Sequence, residues 1–147
     1  MTTAPSPHER VALSLARQGM MTHLGVRLVS ATPRQVELAL PYGDKLTQQQ
    51  GGFHGGAIGA LADIAGGYAA LTVAPEGMEV VTVEYKINFL NSLQGGEIRA
   101  TGTEFRLPAP RPWESPVREA DPVLIRQDLQ LVQNTMWNYA GVIRSPK

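Results

Sequence analysis

The run Gly51-Gly52-Phe53-His54-Gly55-Gly56-Ala57-Ile58-Gly59-Ala60-Leu61-Ala62-Asp63-Ile64-Ala65-Gly66-Gly67 decides how this chain folds. Its apolar part, Ala57 to Val73, is stopped by Pro75-Glu76-Gly77 and predicts the one long helix of the protein. Asp63 is the sole formally charged side chain between Lys45 and Glu76. Taking a lone ion out of water is costly unless the ion is paired, hydrated or needed, so this carboxylate calls for a reason, and chemistry is one. The helical neighbours of Asp63 at three and four residues are Gly59, Ala60, Gly66 and Gly67, which have no bulk. That face is a shallow trough into which another group can fit. A glycine inside a helix costs about 1 kcal/mol relative to alanine. Close packing or room for a ligand therefore accounts for these glycines better than helix propensity does. Ile58, Leu61, Ala65, Tyr68 and Leu71 give the same helix the apolar surface that a wrapping sheet needs.

Toward the N-terminus, Ser6-Pro7-His8-Glu9 combines a cap hydroxyl, a proline at the first helical position and a glutamate three residues after the cap. A short helix is expected from there to about Gly19. Gly25 to Ala31 and Gln35 to Tyr42 flank Thr32-Pro33-Arg34, and Val36, Leu38 and Leu40 alternate with Gln35, Glu37 and Ala39, which predicts a β-hairpin. Beyond the helix the period changes to two from Met78. Val81, Val83, Tyr85, Ile87 and Phe89 are expected on one face of a long strand, with Thr82, Glu84, Lys86 and Asn88 on the other. Ser92 to Gly96 is turn chemistry, and Glu97 to Leu107 reads as the antiparallel neighbour. Prolines at 108, 110, 112, 116 and 122 predict an irregular or edge segment over 108–122, because proline cannot donate to a ladder. Ile125 to Leu131 regains an in-out alternation that Thr135-Met136-Trp137 could extend.

The bulk numbers fit a single domain spanning 1–147, with 43% hydrophobic and 18% charged residues. Thirteen basic and thirteen acidic side chains cancel, which argues against nucleic acid or an anionic membrane surface as a partner. Cysteine is absent, excluding disulfides, a thiolate nucleophile and Cys-based metal sites. Met1 to His8 shows no secretion-signal pattern, so a cytoplasmic protein is expected. Gly55 to Ala74 has the length of a membrane span, but a central Asp in an Ala/Gly-rich stretch argues against insertion.

At the start of the long helix, the N–H groups of Gly55 and Gly56 and the positive dipole end can polarise a carbonyl or hold an oxyanion. Gly55 and Asp63 are eight residues apart, roughly 12 Å along a helix axis, so one acyl carbon cannot touch both within one chain. Two copies of the helix lying antiparallel across a two-fold axis would bring the helix start of one chain near the carboxylate of the other. Two composite sites per homodimer follow as an expectation.

These residues resemble the hotdog-fold acyl-CoA thioesterases of the PaaI-like (phenylacetic acid degradation protein-like) family. His54-Gly55-Gly56 followed by Leu61, Asp63 and Ala65 matches the family's histidine-glycine-glycine and aspartate pattern, and Thr82 takes the place of a Ser/Thr near the site. Gln48 stands where many members have asparagine, one methylene longer, and the proline-rich 108–122 segment replaces a glycine turn and an alternating strand.

The resemblance implies an α+β hotdog fold, a long central helix wrapped by an antiparallel sheet. It implies thioester hydrolysis to a free acid and coenzyme A, with no cofactor beyond the coenzyme A of the substrate and no metal. The assembly it implies is a homodimer or a homotetramer built as a dimer of dimers. In that reading Asp63 is nucleophile or general base, Gly55 polarises the carbonyl, and Gln48, His54 and Thr82 complete the catalytic group. Gly56, Gly59 and Tyr68 are the substrate-binding positions. The alternatives are a hotdog hydratase or dehydratase, whose His-carboxylate motif is not seen here, and a non-catalytic acyl-CoA sensor, against which the retained Asp63 argues.

Overall fold

The computed structural model describes residues 4–89, 91–104, 122–128 and 133–144. Helix α1, Pro7–Leu15, begins at the anticipated capping box. The Ser6 hydroxyl accepts from the Glu9 amide at 3.2 Å, and the Glu9 carboxylate accepts from the Ser6 amide at 2.8 Å. The expected single helix to Gly19 is in fact two. After α1 the chain turns and starts α2, Gly19–Leu24, which ends on Gly25 at φ 81°. Only glycine takes that left-handed conformation cheaply.

Strands β1, Arg27–Thr32, and β2, Gln35–Pro41, form the hairpin. Its tip is held down because the Arg34 amide donates to the Thr72 hydroxyl at 2.7 Å. Val36, Leu38 and Leu40 are fully buried as the alternation predicts, and Ala39 is buried with them. A 3₁₀ turn, Asp44–Leu46, leads to helix α3, Gly55–Leu71, two residues earlier at each end than the apolar run suggested. Strands β3, Met78–Ile87, and β4, Glu97–Thr103, follow. Then come β5, Pro122–Asp128, and β6, Gln133–Arg144.

All the ladders are antiparallel, in the orders β1-β2-β4 and β3-β6-β5, with β4 running beside β5. Helix α3 touches β2, β3, β4, β5 and β6, so the sheet wraps it as a hotdog fold requires. The closest approach is at Gly102 of β4. A Cβ there would collide with the backbone of Ala65 and Gly66, so glycine at this position sets how deeply the helix sits in the sheet. The Arg10 guanidinium fastens α1 over the end of α3, donating to the carbonyls of Ala74, Pro75 and Met78 at 2.6, 3.0 and 2.9 Å.

Four expectations about the later strands change. Strand β4, expected as the neighbour of β3, pairs instead with β2, and β6 takes the place beside β3. The strand expected from Ile125 starts at Pro122, so Pro122 belongs to β5 and not to the irregular segment. Pro122 opens the strand, the position where a missing N–H costs least. Thr135-Met136-Trp137 belongs to a separate twelve-residue strand, β6, which lies between β3 and β5. In β3 the alternation slips, because the pairing with β6 skips one residue between Thr82 and Glu84. The bulge puts Thr82 on the same side as Tyr85 and Phe89, facing α3, where strict alternation had set them on opposite faces. The 108–121 and 129–132 segments, and the end of the expected strand at 105–107, lie outside the described residues.

Candidate active site

Helix α3 and strand β3 run side by side, and three contacts one helical turn apart define the site. At Asp63 the Thr82 hydroxyl donates to Oδ1 at 2.6 Å. At Gly59 the Tyr85 hydroxyl lies 3.2 Å from where a Cβ would be, and at Gly55 the Phe89 ring lies equally near. Glycine at 55 and 59 thus lets two aromatic side chains sit a few tenths of an ångström closer to the helix than a Cβ would allow. Asp63 is half-buried rather than fully enclosed.

The helix start is organised by His54, which acts as the N-cap. Its Nδ1 accepts from the Gly56 amide at 2.9 Å, so the proton of the neutral ring lies on Nε2. The expected pair of free amides is therefore reduced to one. Gly56 is used by the cap, while the Gly55 N–H makes no hydrogen bond among the described residues. Being at the first helical position, that amide also lies at the positive end of the helix dipole.

Gln48 stays in the preceding loop. Its amide donates to the Gly52 carbonyl at 2.8 Å, its carbonyl accepts from Gly51 at 2.9 Å, and its Oε1 accepts from the Gln50 amide. The side-chain nitrogen rests 3.2 Å from the Cβ position of Gly52. The structure therefore brings Asp63 and Thr82 together, and His54, Gly55 and Gly56 together. The two groups remain separated within one chain by two turns of α3, roughly 12 Å.

A pocket of about 120 Å³ opens beside Asp63, lined by Ile64, Gly67, Tyr68 and Leu71 of α3, by Glu79, Val80 and Thr82 of β3, and by Ser14 and Gln18. Tyr68 is buried, and its hydroxyl accepts from Gln18 Nε2 at 2.7 Å and donates to Ser14 Oγ at 3.3 Å. Burial pushes the Tyr68 phenol above its ordinary value, the two hydrogen bonds opposing this in part, so the group stays a neutral donor at physiological pH. Ser14 and Gln18 were not found from sequence. They lie four residues apart but straddle the α1–α2 turn, so no single helical face joins them.

The thioesterase superfamily model matches residues 50–107, which include the helix start, Asp63 and Thr82. A candidate esterase of Saccharolobus solfataricus is 37% identical over 83 residues, 56% of this chain. The chain spans little more than half the length of the two curated relatives it matches, 59% and 54%. A thioesterase family protein from Silicibacter pomeroyi is 30% identical, with a TM-score of 0.75 covering 92% of this chain and 97% of its own. The Escherichia coli PaaI protein from the phenylacetic acid degradation operon shares the fold at 16% identity, with a TM-score of 0.71 over 92% of both chains. The Silicibacter match runs along nearly the whole of both molecules, and on that ground this protein belongs to the thioesterase family, as a hotdog-fold member.

Proposed function

We propose that the protein hydrolyses acyl-CoA thioesters to a free acid and coenzyme A, working as a homodimer with two composite sites. The observation that carries this reading is the pairing of an anchored carboxylate, Asp63 on Thr82, with an unbonded amide at the head of the same helix, Gly55. In an antiparallel pair of α3 helices crossing near Gly59, the midpoint between these residues, each Asp63 would meet the partner's helix start. The half-exposed small residues Ala60, Gly67 and Ala70 beside Asp63 leave room for that approach.

The thioester carbonyl oxygen would accept from the Gly55 N–H, and the helix dipole would favour the oxyanion as the tetrahedral state forms. His54 Nε2–H and the Gln48 side-chain amide would be further donors. Asp63 would attack the carbonyl carbon, or take a proton from the water that does. The C–S bond then breaks and coenzyme A leaves as a thiolate that takes up a proton. Single turnover in ¹⁸O-water separates the two routes, label on the enzyme carboxylate marking the covalent one.

The test is thiol release from a panel of acyl-CoAs by purified protein and by Asp63→Asn. Release by the wild type and its loss by at least a thousandfold in the variant is the expected result, in line with removal of a nucleophile or base. Hydration of an enoyl-CoA without thiol release, or tight binding with neither reaction, would overturn it.

A further inference from the structure

The pocket next to Asp63 carries information that neither the motif nor the family supplies. It follows α3 from Asp63 past Ile64 and Gly67 to Tyr68 and Leu71, with Val80 and Thr82 as its β3 wall. Its far end is polar, formed by Tyr68 together with Ser14 and Gln18 from the N-terminal segment.

Those three side chains are hydrogen-bonded to one another but not exhausted. Tyr68 spends its proton on Ser14 and receives one from Gln18, which leaves the Ser14 O–H and the Gln18 Oε1 unbonded among the described residues. The polar end therefore has a donor and an acceptor to offer. Along the helix axis Asp63 and Tyr68 are roughly 7.5 Å apart, the reach of about six single bonds. A cavity of about 150 Å³ holds benzene, so the 120 Å³ here fits a chain of about six heavy atoms beyond the carbonyl. Glu79 also lines the pocket, and Arg17 pairs with it at 3.3 Å on the exposed side.

We propose, building on the thioesterase reading, that this pocket takes the acyl group and selects a short chain with a hydroxyl at its end, read by Ser14, Gln18 and Tyr68. Length excludes fatty acyl groups. Ser14, Gln18 and Tyr68 thereby become specificity residues contributed by the chain that also supplies Asp63.

The experiment compares kcat/KM for 6-hydroxyhexanoyl-CoA with heptanoyl-CoA, which has the same number of heavy atoms, alongside palmitoyl-CoA. One additional neutral hydrogen bond predicts about a fivefold preference for the hydroxylated chain. Palmitoyl-CoA should fall at least tenfold below it. Tyr68→Phe and Ser14→Ala should each bring the hydroxy-to-alkyl ratio near one, a ratio that partial loss of folded protein cannot change. Equal rates for the two matched chains, or palmitoyl-CoA as the best substrate, would overturn the proposal. If no ester releases thiol, the thioesterase reading falls, and the pocket is then judged by calorimetric affinity for the same two matched esters. A fivefold affinity difference abolished by Ser14→Ala supports it, and equal affinity overturns it.

Discussion

Thr82 shows what a single hydroxyl does in this site. Its hydrogen bond holds the Asp63 carboxylate in one orientation, and a bond to a charged acceptor contributes about 1.5–3 kcal/mol. Thr82→Val should therefore lower kcat by about tenfold or more with little change in KM, whereas Thr82→Ser should keep most of the rate. Steady-state kinetics of the two variants checks this. Tyr68 makes a prediction about pH. Burial raises its phenol above the ordinary 10.0, so the folded state holds that proton more tightly than the unfolded chain does. Its contribution to stability is complete below about pH 10 and declines as the pH rises further. The Tm difference between the wild type and Tyr68→Phe should therefore narrow between pH 9 and pH 11.5, and a constant difference would contradict it. Asp63 was visible in the sequence because charge is rare in its stretch, and His54-Gly55-Gly56, a weak signal as a glycine pair alone, through its match to the family pattern. The cap that consumes the Gly56 amide was not visible, since it depends on a ring orientation set by the fold.

Among the elements, the capping box located the start of α1, and the apolar runs and periods located the hairpin, α3, β3 and the span of β4, though not its pairing with β2. What they missed comes from tertiary pairing. The slip in β3 arises against β6, a strand distant in sequence, and no residue between Thr82 and Glu84 marks it. The α1–α2 break is just as quiet, since Ala16-Arg17-Gln18 would continue a helix readily. Pro122 misled because proline usually ends a ladder, yet at the first position of β5 it is tolerated. Gly102 looked like an ordinary strand glycine. Its role is visible only where β4 meets α3, and Gly102→Ala should cost about 3 kcal/mol as the Ala65 carbonyl is pushed aside. A denaturant midpoint measured for this variant and for Gly67→Ala separates packing from propensity. Gly67 has open space around it in a helix interior, so alanine there should be neutral or stabilising by up to about 1 kcal/mol in a single protomer.

For the whole molecule, the proposed two-fold assembly makes a quantitative claim about mixtures. Gly55→Pro removes the amide while leaving α3 intact, because proline is favoured at the first helical position, His54 already has an extended backbone, φ −68° and ψ 132°, and the exposed Phe89 ring can give by the few tenths of an ångström that the new Cβ needs. Gly55→Pro and Asp63→Asn should each be inactive alone. Unfolding and refolding them together should restore about a quarter of wild-type activity, since half the dimers are mixed and each mixed dimer has one intact composite site. No recovery, or full activity in a monomer measured by sedimentation, would remove the two-chain site.

Helix α3 is divided lengthwise between two kinds of demand. The side carrying Ala65 and Gly66 is pressed against Gly102, where a single methyl group is too much, while the side carrying Ile64 and Gly67 borders open space. Ile64 and Val80 also pack against the core, so Gly67 is the position on this flank where a side chain can be added without disturbing that seam. If the protein hydrolyses acyl-CoA as proposed, directed evolution toward new esters has its safest starting point there.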